Sequence, residues 1–446
     1  MKEKSLNYLL LQYMVPSTTG LLVIALYVIV DSIFVGRGVG KEALAALNIA
    51  YPIITISSAI SLMIGMGAST LISLYHGKKH LEDLCLSYIH CLNFLFYVVL
   101  VFLVFFCSKQ VLWILGGETS LEAMVREYLY PCTVGMIFLM ISTGWNAAVR
   151  NLGAPKYAFF SMLAGALCNV FFDWIFIFPM DLGIQGAAIA TSMGQILSFL
   201  LLFFFFRKKR IFIPFFPRKI SWSLLQRLFS IGFSSFIMEF AAAIVLVLFN
   251  IQFLRYGGEI SVSAFCIVAS TFYFFRMLFT GLGQGLQPIV SFFFGKKERE
   301  KEKEAYRKAK SLALGISVLC FAFVFFQKES IMSFYHSDRD FVLFAARGLL
   351  LYCTSIFFVA FNLLSISYYQ AIGNGRLANL FSFGRSFLFL IPFLYVLPAV
   401  WGMTGTWLVL AFTEAATSIS IFCYQNYRKN LSCKIKCHSV AKEKEP

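Results

Sequence analysis

Apolar stretches of about 20 residues, each long enough to cross a ~30 Å hydrocarbon layer as a helix, recur twelve times along this chain. They fall at about 9–35, 43–74, 85–107, 123–149, 156–178, 184–206, 225–254, 260–293, 309–326, 341–370, 377–397 and 403–424. Only 13% of the residues are charged, against roughly 25% in a soluble domain. The expected fold class is therefore all-α: a polytopic membrane protein of twelve transmembrane helices.

The twelve spans follow one plan used twice. Residues 64–79, IGMGASTLISLYHGKK, align without gaps to 282–297, LGQGLQPIVSFFFGKK, pairing Gly65 with Gly283, Gly67 with Gly285 and Ser73 with Ser291. DLGIQG at 181–186 pairs with VWGMTG at 400–405, and RNLGAPK at 150–156 with QAIGNGR at 370–376, so the offset stays near 219 throughout. Six spans per half is an even number, so the repeats run parallel about an axis along the membrane normal. Two pseudo-symmetric six-helix bundles with a cleft between them are expected. The divisions read as an amino lobe over 1–206, a basic linker over 207–221, a carboxy lobe over 222–425 and a basic tail over 426–446.

A net charge of +16 raises the question of nucleic acid, but the distribution of the charge answers it. Most Lys and Arg sit in the tails and in loops on the side of the termini, the positive-inside pattern, which places both termini in the cytoplasm and the chain in the plasma membrane. RKKR at 207–210 and KKEREKEKEAYRKAK at 296–310 are then inner-face charge within reach of anionic lipid, and no nucleic-acid partner is expected. The 11 cysteines show no disulfide or zinc spacing and read as packing residues. Cys433, Cys437 and His438 form only a weak metal motif. The first span is too long for a cleavable signal and lacks a small-residue cleavage site, so it is expected to remain.

Chemistry concentrates on that first span. LLLQYMVPSTTGLLVIALYVIVDSIFV at 9–35 carries a proline and an aspartate. Pro16 removes a helix hydrogen bond and crowds the preceding turn, which makes it a candidate hinge. A carboxylate at Asp31 costs roughly 2.5 to 3.5 kcal/mol in a membrane helix unless it meets a partner or a cavity. Tyr27, one turn back, shares its face. On the fifth span Asn169 and Asp173 are likewise one turn apart, and both acids fall near the same end of their spans. Thr191, about a third of the way along the sixth, adds a hydroxyl at a comparable depth. Carboxylate, amide and hydroxyl oxygens suit a hard cation such as sodium, and paired carboxylates suit a proton equally well. The second half holds Glu239 and Glu414 but also Arg276 and Arg385, so its acids have bases to pair with. Uncompensated acids collect in the amino half.

At this point the chain resembles the MATE (multidrug and toxic compound extrusion) transporters, a resemblance that covers essentially the whole chain. The segments VDSIFVGRGVGKEALAALNIAYPI at 30–53 and SLMIGMGASTLISLYHGKK at 61–79 carry it, together with the two six-span halves. It implies that Pro16, Tyr27 and Asp31 match the bending first helix of that family. Asn169, Asp173 and Thr191 match the other amino-lobe cation positions of its prokaryotic branches, and Glu239 the acidic position many members carry on the seventh helix. One departure stands out: the tenth span, 341–370, lacks the aspartate that accompanies a carboxy-lobe cation site.

The function implied is secondary antiport: amphipathic, often cationic, drugs or toxic organic cations leave while H+ or Na+ enters, with Asp31 as the coupling group. No cofactor beyond that ion is expected, and the partners are small molecules and membrane lipid, with the chain a monomer. Glu239, Asn146 and Gln284 are the candidate substrate contacts. The alternative is a flippase for lipid-linked saccharides, which should line the cleft with several cations to hold a pyrophosphate; only Arg276 and Arg385 are available. An integral-membrane transferase should show DDxxD-type acids, and neither these nor GxGxxG nor a Walker sequence occurs. A pore has no need of a repeat with a titratable, kinked span.

Overall fold

A computed structural model of the protein describes residues 5–106, 121–211, 216–217 and 219–442. Several linker positions, the end of the third span, and the side chains of Cys433, Cys437 and His438 lie outside the described residues. Every element among the described residues is helical. In order they are α1 (Leu6–Gly38), α2 (Lys41–Leu74), α3 (Lys79–Phe106), α4 (Glu122–Asn151), α5 (Pro155–Ile177), α6 (Gly183–Lys208), α7 (Trp222–Gly295), α8 (Arg299–Ser333), α9 (Arg339–Cys353), α10 (Ile356–Ala371), α11 (Gly375–Phe383) and α12 (Leu390–Lys442).

The twelve expected crossings are all recovered, although the helices divide differently. α7 turns back on itself at Gly258 and α12 turns at Gly402, each through a left-handed backbone conformation that glycine adopts without steric cost. α7 therefore contains a complete span on either side of its break, while the part of α12 before Gly402 completes the span begun by α11. The tenth span is instead broken into α9 and α10, which meet at a bend of 40°. A π-helical segment, Gly384–Leu388, interrupts the eleventh. From Arg299 onward the basic run at 296–310 forms the helical start of α8.

The repeat is written into the backbone as well as the sequence. Left-handed glycines stand at Gly40 and Gly258, at Gly153 and Gly373, and at Gly183 and Gly402, always at nearly the same offset. Ser73 donates to Asn151 Oδ1 at 2.7 Å, and its counterpart Ser291 donates to the carbonyl of Ala371, the counterpart of Asn151, at 2.9 Å.

Small residues let the two halves meet backbone to backbone. A β-carbon on Gly67 of α2 would sit 2.2 Å from the Leu228 carbonyl oxygen of α7, and one on Gly285 would sit 2.5 Å from Met14 Cα of α1. Gly232 faces Met63 O at 1.8 Å, Gly281 faces Thr18 Cα at 2.4 Å, and Gly295 faces Leu74 O at 2.6 Å, measured the same way. Close approach of this kind is the usual route to helix association in lipid, where burial alone gives no drive. Gln287 reaches across to donate to Thr70, and Arg227 donates to the Tyr75 hydroxyl at 2.6 Å. All these contacts lie toward the end of the molecule where α1 begins. The seam is closed there.

The amino half packs around two separate apolar clusters. One, including Ile64, Leu71, Ile89, Trp145 and Leu202, lies toward the closed end and takes in Leu228 and Ile231 of α7. The other, including Val35, Ala46, Tyr128, Ile177 and Ala188, lies toward the opposite end. Between the two, α1, α5 and α6 present polar side chains. Large apolar side chains such as Phe204, 59% exposed, and Leu319, 70% exposed, cover outer faces that a bilayer would contact.

Candidate functional site

Two glycines set the site. Gly165 on α5 and Gly194 on α6 interlock so tightly that a β-carbon on either would come within 2.8 Å of the other's carbonyl oxygen. That approach brings the next turn of α5 against α6, and the Asn169 amide donates to Thr191 Oγ1 at 3.3 Å. One turn further on, Asp173 is fully buried and its carboxyl lies within interaction range of both Asn169 and the carboxyl of Asp31 on α1. α1 is held against α5 by Gly20, whose β-carbon position lies 3.2 Å from Met162 Sδ.

The sequence places Asp31, Asn169, Asp173 and Thr191 at one depth, and the structure brings all four together. Asp31 Oδ1, both carboxyl oxygens of Asp173 and Asn169 Oδ1 are buried and receive no donor among the described residues. Four acceptor oxygens without a donor, three of them on the two neighbouring carboxyls, are complementary to a proton or a hard cation. Tyr27 lies within electrostatic reach of Asp31, Asp173, Tyr51 and Tyr273. Tyr128 and Cys132 of α4 lie within electrostatic reach of Asp31. Their spacing of one helical turn is the only sequence sign that they share a face.

Across the cleft the carboxy half supplies charges of both signs. Tyr51 of α2 interacts with Glu239 and Arg276 of α7, and the Arg276 guanidinium lies over the Tyr273 ring at 5.2 Å. Glu239 makes no ion pair among the described residues. Arg385, by contrast, is committed. The π-helical segment that carries it turns its guanidinium onto Glu414, with Nε 3.0 Å from Oε1 and Nη2 on the same oxygen. The other Glu414 oxygen accepts from Asn362 at 2.6 Å, and Ser418 donates to Asn362 at 2.9 Å. Glu414→Gln should strip the charge partner from a guanidinium that is 11% exposed. A loss of about 3–5 kcal/mol is expected, measured as a lower thermal unfolding midpoint in detergent, with no change expected on the Asp31 side.

Not every candidate reaches the cleft. Asn146 donates to the Ala158 carbonyl at 2.8 Å and accepts from Arg150 at 2.6 Å. It therefore joins a structural network rather than facing substrate. Arg150, on the last turn of α4, is only 4% exposed, so the amino half does contain a buried guanidinium, placed near the closed end. Gln284 is buried at 9% exposure. Pro16 is also buried, and α1 runs unbroken through it. The Thr19 hydroxyl donates to the Val15 and Pro16 carbonyls at 2.9 and 3.3 Å, a back-bonding pattern that favours bending.

Three comparisons agree with this architecture. The MatE family model matches residues 16–175 and again 233–396, one copy in each repeat. The multidrug export protein MepA of Staphylococcus saprophyticus is 23% identical over 441 residues, 95% of this chain and 96% of that protein. Its Staphylococcus aureus counterpart is 25% identical, covering 94% and 95%. Among solved structures, the outward-facing form of a multidrug resistance MATE family transporter of the MOP superfamily superposes with a TM-score of 0.90 at 20% identity, over 97% of both chains. The MATE multidrug transporter DinF-BH, solved as a complex, gives 0.85 at 23% identity over 96% of this chain and 97% of that one. With both repeats matched and the fold shared end to end, the chain belongs to the MatE family of membrane transporters, not enzymes.

Proposed function

We propose that the protein exports amphipathic organic cations across the plasma membrane in exchange for H+ or Na+, with Asp31 and Asp173 as the coupling pair. The observation that carries this reading is the proximity of the two carboxyls, with Asn169 and Thr191 completing a set of buried oxygens. The names of the MepA relatives point the same way on substrate. Arrival of a cation neutralises the pair and changes the packing of α1 against α5 and α6. An organic cation drawn to the same negative charge competes with it, which gives antiport. A membrane potential adds about 2.3 kcal/mol per charge per 100 mV, enough to bias two states that differ by a few kcal/mol.

Both termini are taken as cytoplasmic, so the closed seam faces inward and the cleft opens outward. With Arg385 tied up, Arg276 is the cleft cation without an ion pair among the described residues, which disfavours pyrophosphate-linked saccharides as substrate. Purified protein in vesicles, given separately imposed proton and sodium gradients, tests the proposal. A fluorescent cationic dye should move against one or both gradients. Movement of labelled lipid-linked saccharide without dye movement would overturn the reading.

The first span supplies the moving part. Pro16→Ala restores a backbone hydrogen bond and removes a clash together worth up to ~3 kcal/mol, favouring the straight helix. Dye turnover in the same vesicles should fall about tenfold or more while dye binding to purified protein is retained. Unchanged turnover would remove Pro16 from the mechanism.

A further inference from the structure

A cavity of about 400 Å³ lies at the closed end, lined by Arg299, Arg376 and Arg428 with Ser230, Asn374 and the glycines either side of it. No acidic residue lines it among the described residues. The volume falls within the range of small-molecule sites, about 300 to 1,000 Å³. The three arginines come from the start of α8, the start of α11 and the far part of α12, so the fold brings together charges that are remote in sequence.

Arg299 is fixed by its neighbours. The Arg299 guanidinium lies 3.6 Å over the Phe294 ring and donates to Glu302 at 3.0 Å. Glu302 is 2% exposed and also accepts from the Tyr368 hydroxyl at 2.6 Å. It offsets the charge of Arg299 from behind the cavity, without lining it. A fourth guanidinium adjoins the turn, since Arg227 Nη2 lies 3.5 Å from the β-carbon position of Gly373.

The turn is held close to α7. Gly373 holds a left-handed conformation, and a β-carbon on Gly375 would sit 2.2 Å from the Ser230 carbonyl oxygen. Glycine at 375 lets the turn pack directly against the start of α7, which fixes the turn at the cavity wall. The Asn374 side chain caps Leu377 N at 3.3 Å, so guanidinium charge, not the helix end, supplies the attraction. Planar guanidiniums match the oxygens of phosphate in paired hydrogen bonds, which lysine does not.

We propose that this cavity binds a phosphate group, carried either by the headgroup of an anionic phospholipid or by a soluble phosphate. The test uses the full-length purified protein with two probes: inorganic phosphate at fixed ionic strength, and phosphatidylglycerol in nanodiscs otherwise made of phosphatidylcholine. Saturable binding, read by calorimetry or by a shift in unfolding midpoint, should fall at least tenfold in Arg376→Gln/Arg428→Gln. It should be unchanged in Lys208→Gln/Lys209→Gln, which removes equal charge elsewhere on the same face. Arg376→Gln alone, at an exposed side chain, serves if the double variant fails to fold, with a loss of threefold or more expected. Binding of phosphate in neutral lipid identifies a soluble ligand, and binding of phosphatidylglycerol alone identifies lipid; either supports the site. No saturable binding of either probe, or equal loss in the arginine and lysine variants, overturns it.

Discussion

Asp31→Asn is expected to bring gradient-driven dye export down to the level of protein-free vesicles, a loss on the order of 100-fold for a coupling energy of 2 to 3 kcal/mol. The change is nearly isosteric. It removes a charge from a carboxyl within interaction range of Asp173 and supplies an amide donor to oxygens that now receive none. The folded protein should therefore be as stable as the wild type or more so, because two like charges no longer share a buried site. This pairing of outcomes separates coupling from folding. A variant that loses transport and stability together would mark Asp31 as structural, and one that exports dye at the wild-type rate would remove it from the mechanism.

The second large effect is expected at the seam. Gly285→Leu and Gly67→Leu would each drive a side chain into a facing backbone, at Met14 and at Leu228, where even a β-carbon comes within 2.5 Å. Overpacking of this kind costs typically about 1 to 3 kcal/mol, and here the strain is relieved by opening the seam. The closed-end population should fall by about tenfold or more, with transport reduced in proportion. Spin labels at Lys78 and Lys297, read by pulsed distance measurement, should show a longer, broader separation in both variants. An unchanged distance distribution would mean that the halves tolerate the added volume and that these glycines do not set the state.

The sequence disclosed the twelve crossings and the repeat because both depend on signals that survive in one dimension: length of apolar run, and glycines recurring at a fixed offset. Gly40 and Gly258, or Gly183 and Gly402, do the same backbone job in each half, which is why the offset between the halves hardly changes along the chain. The amino-half site was legible for a related reason. Asn169 and Asp173 are one turn apart on a single helix, and a carboxylate on an apolar span attracts notice wherever it falls.

What the sequence could not show depends on which faces meet. Asn146 looked available until Arg150 and the Ala158 carbonyl were found to satisfy it. Tyr128 and Cys132 carry no signal of their own, because a tyrosine and a cysteine on an apolar helix are ordinary packing residues until an aspartate comes within electrostatic reach. The break between α9 and α10 carries no proline or glycine to announce it. The π-helical segment that carries Arg385 to Glu414 follows from register, which composition does not record. The arginine cavity is assembled from four separate stretches of chain, none of them unusual alone.

The most direct test is competition at equilibrium, on purified protein without a gradient. The affinity of a fluorescent cationic dye is measured as proton or sodium concentration is raised, for the wild type and for Asp31→Asn and Asp173→Asn. Competition for one buried pair of carboxyls predicts that wild-type affinity falls about tenfold or more with at least one of the two ions, and that both variants lose this dependence. Dye affinity indifferent to both ions in the wild type, or equally dependent on them in the variants, would contradict it.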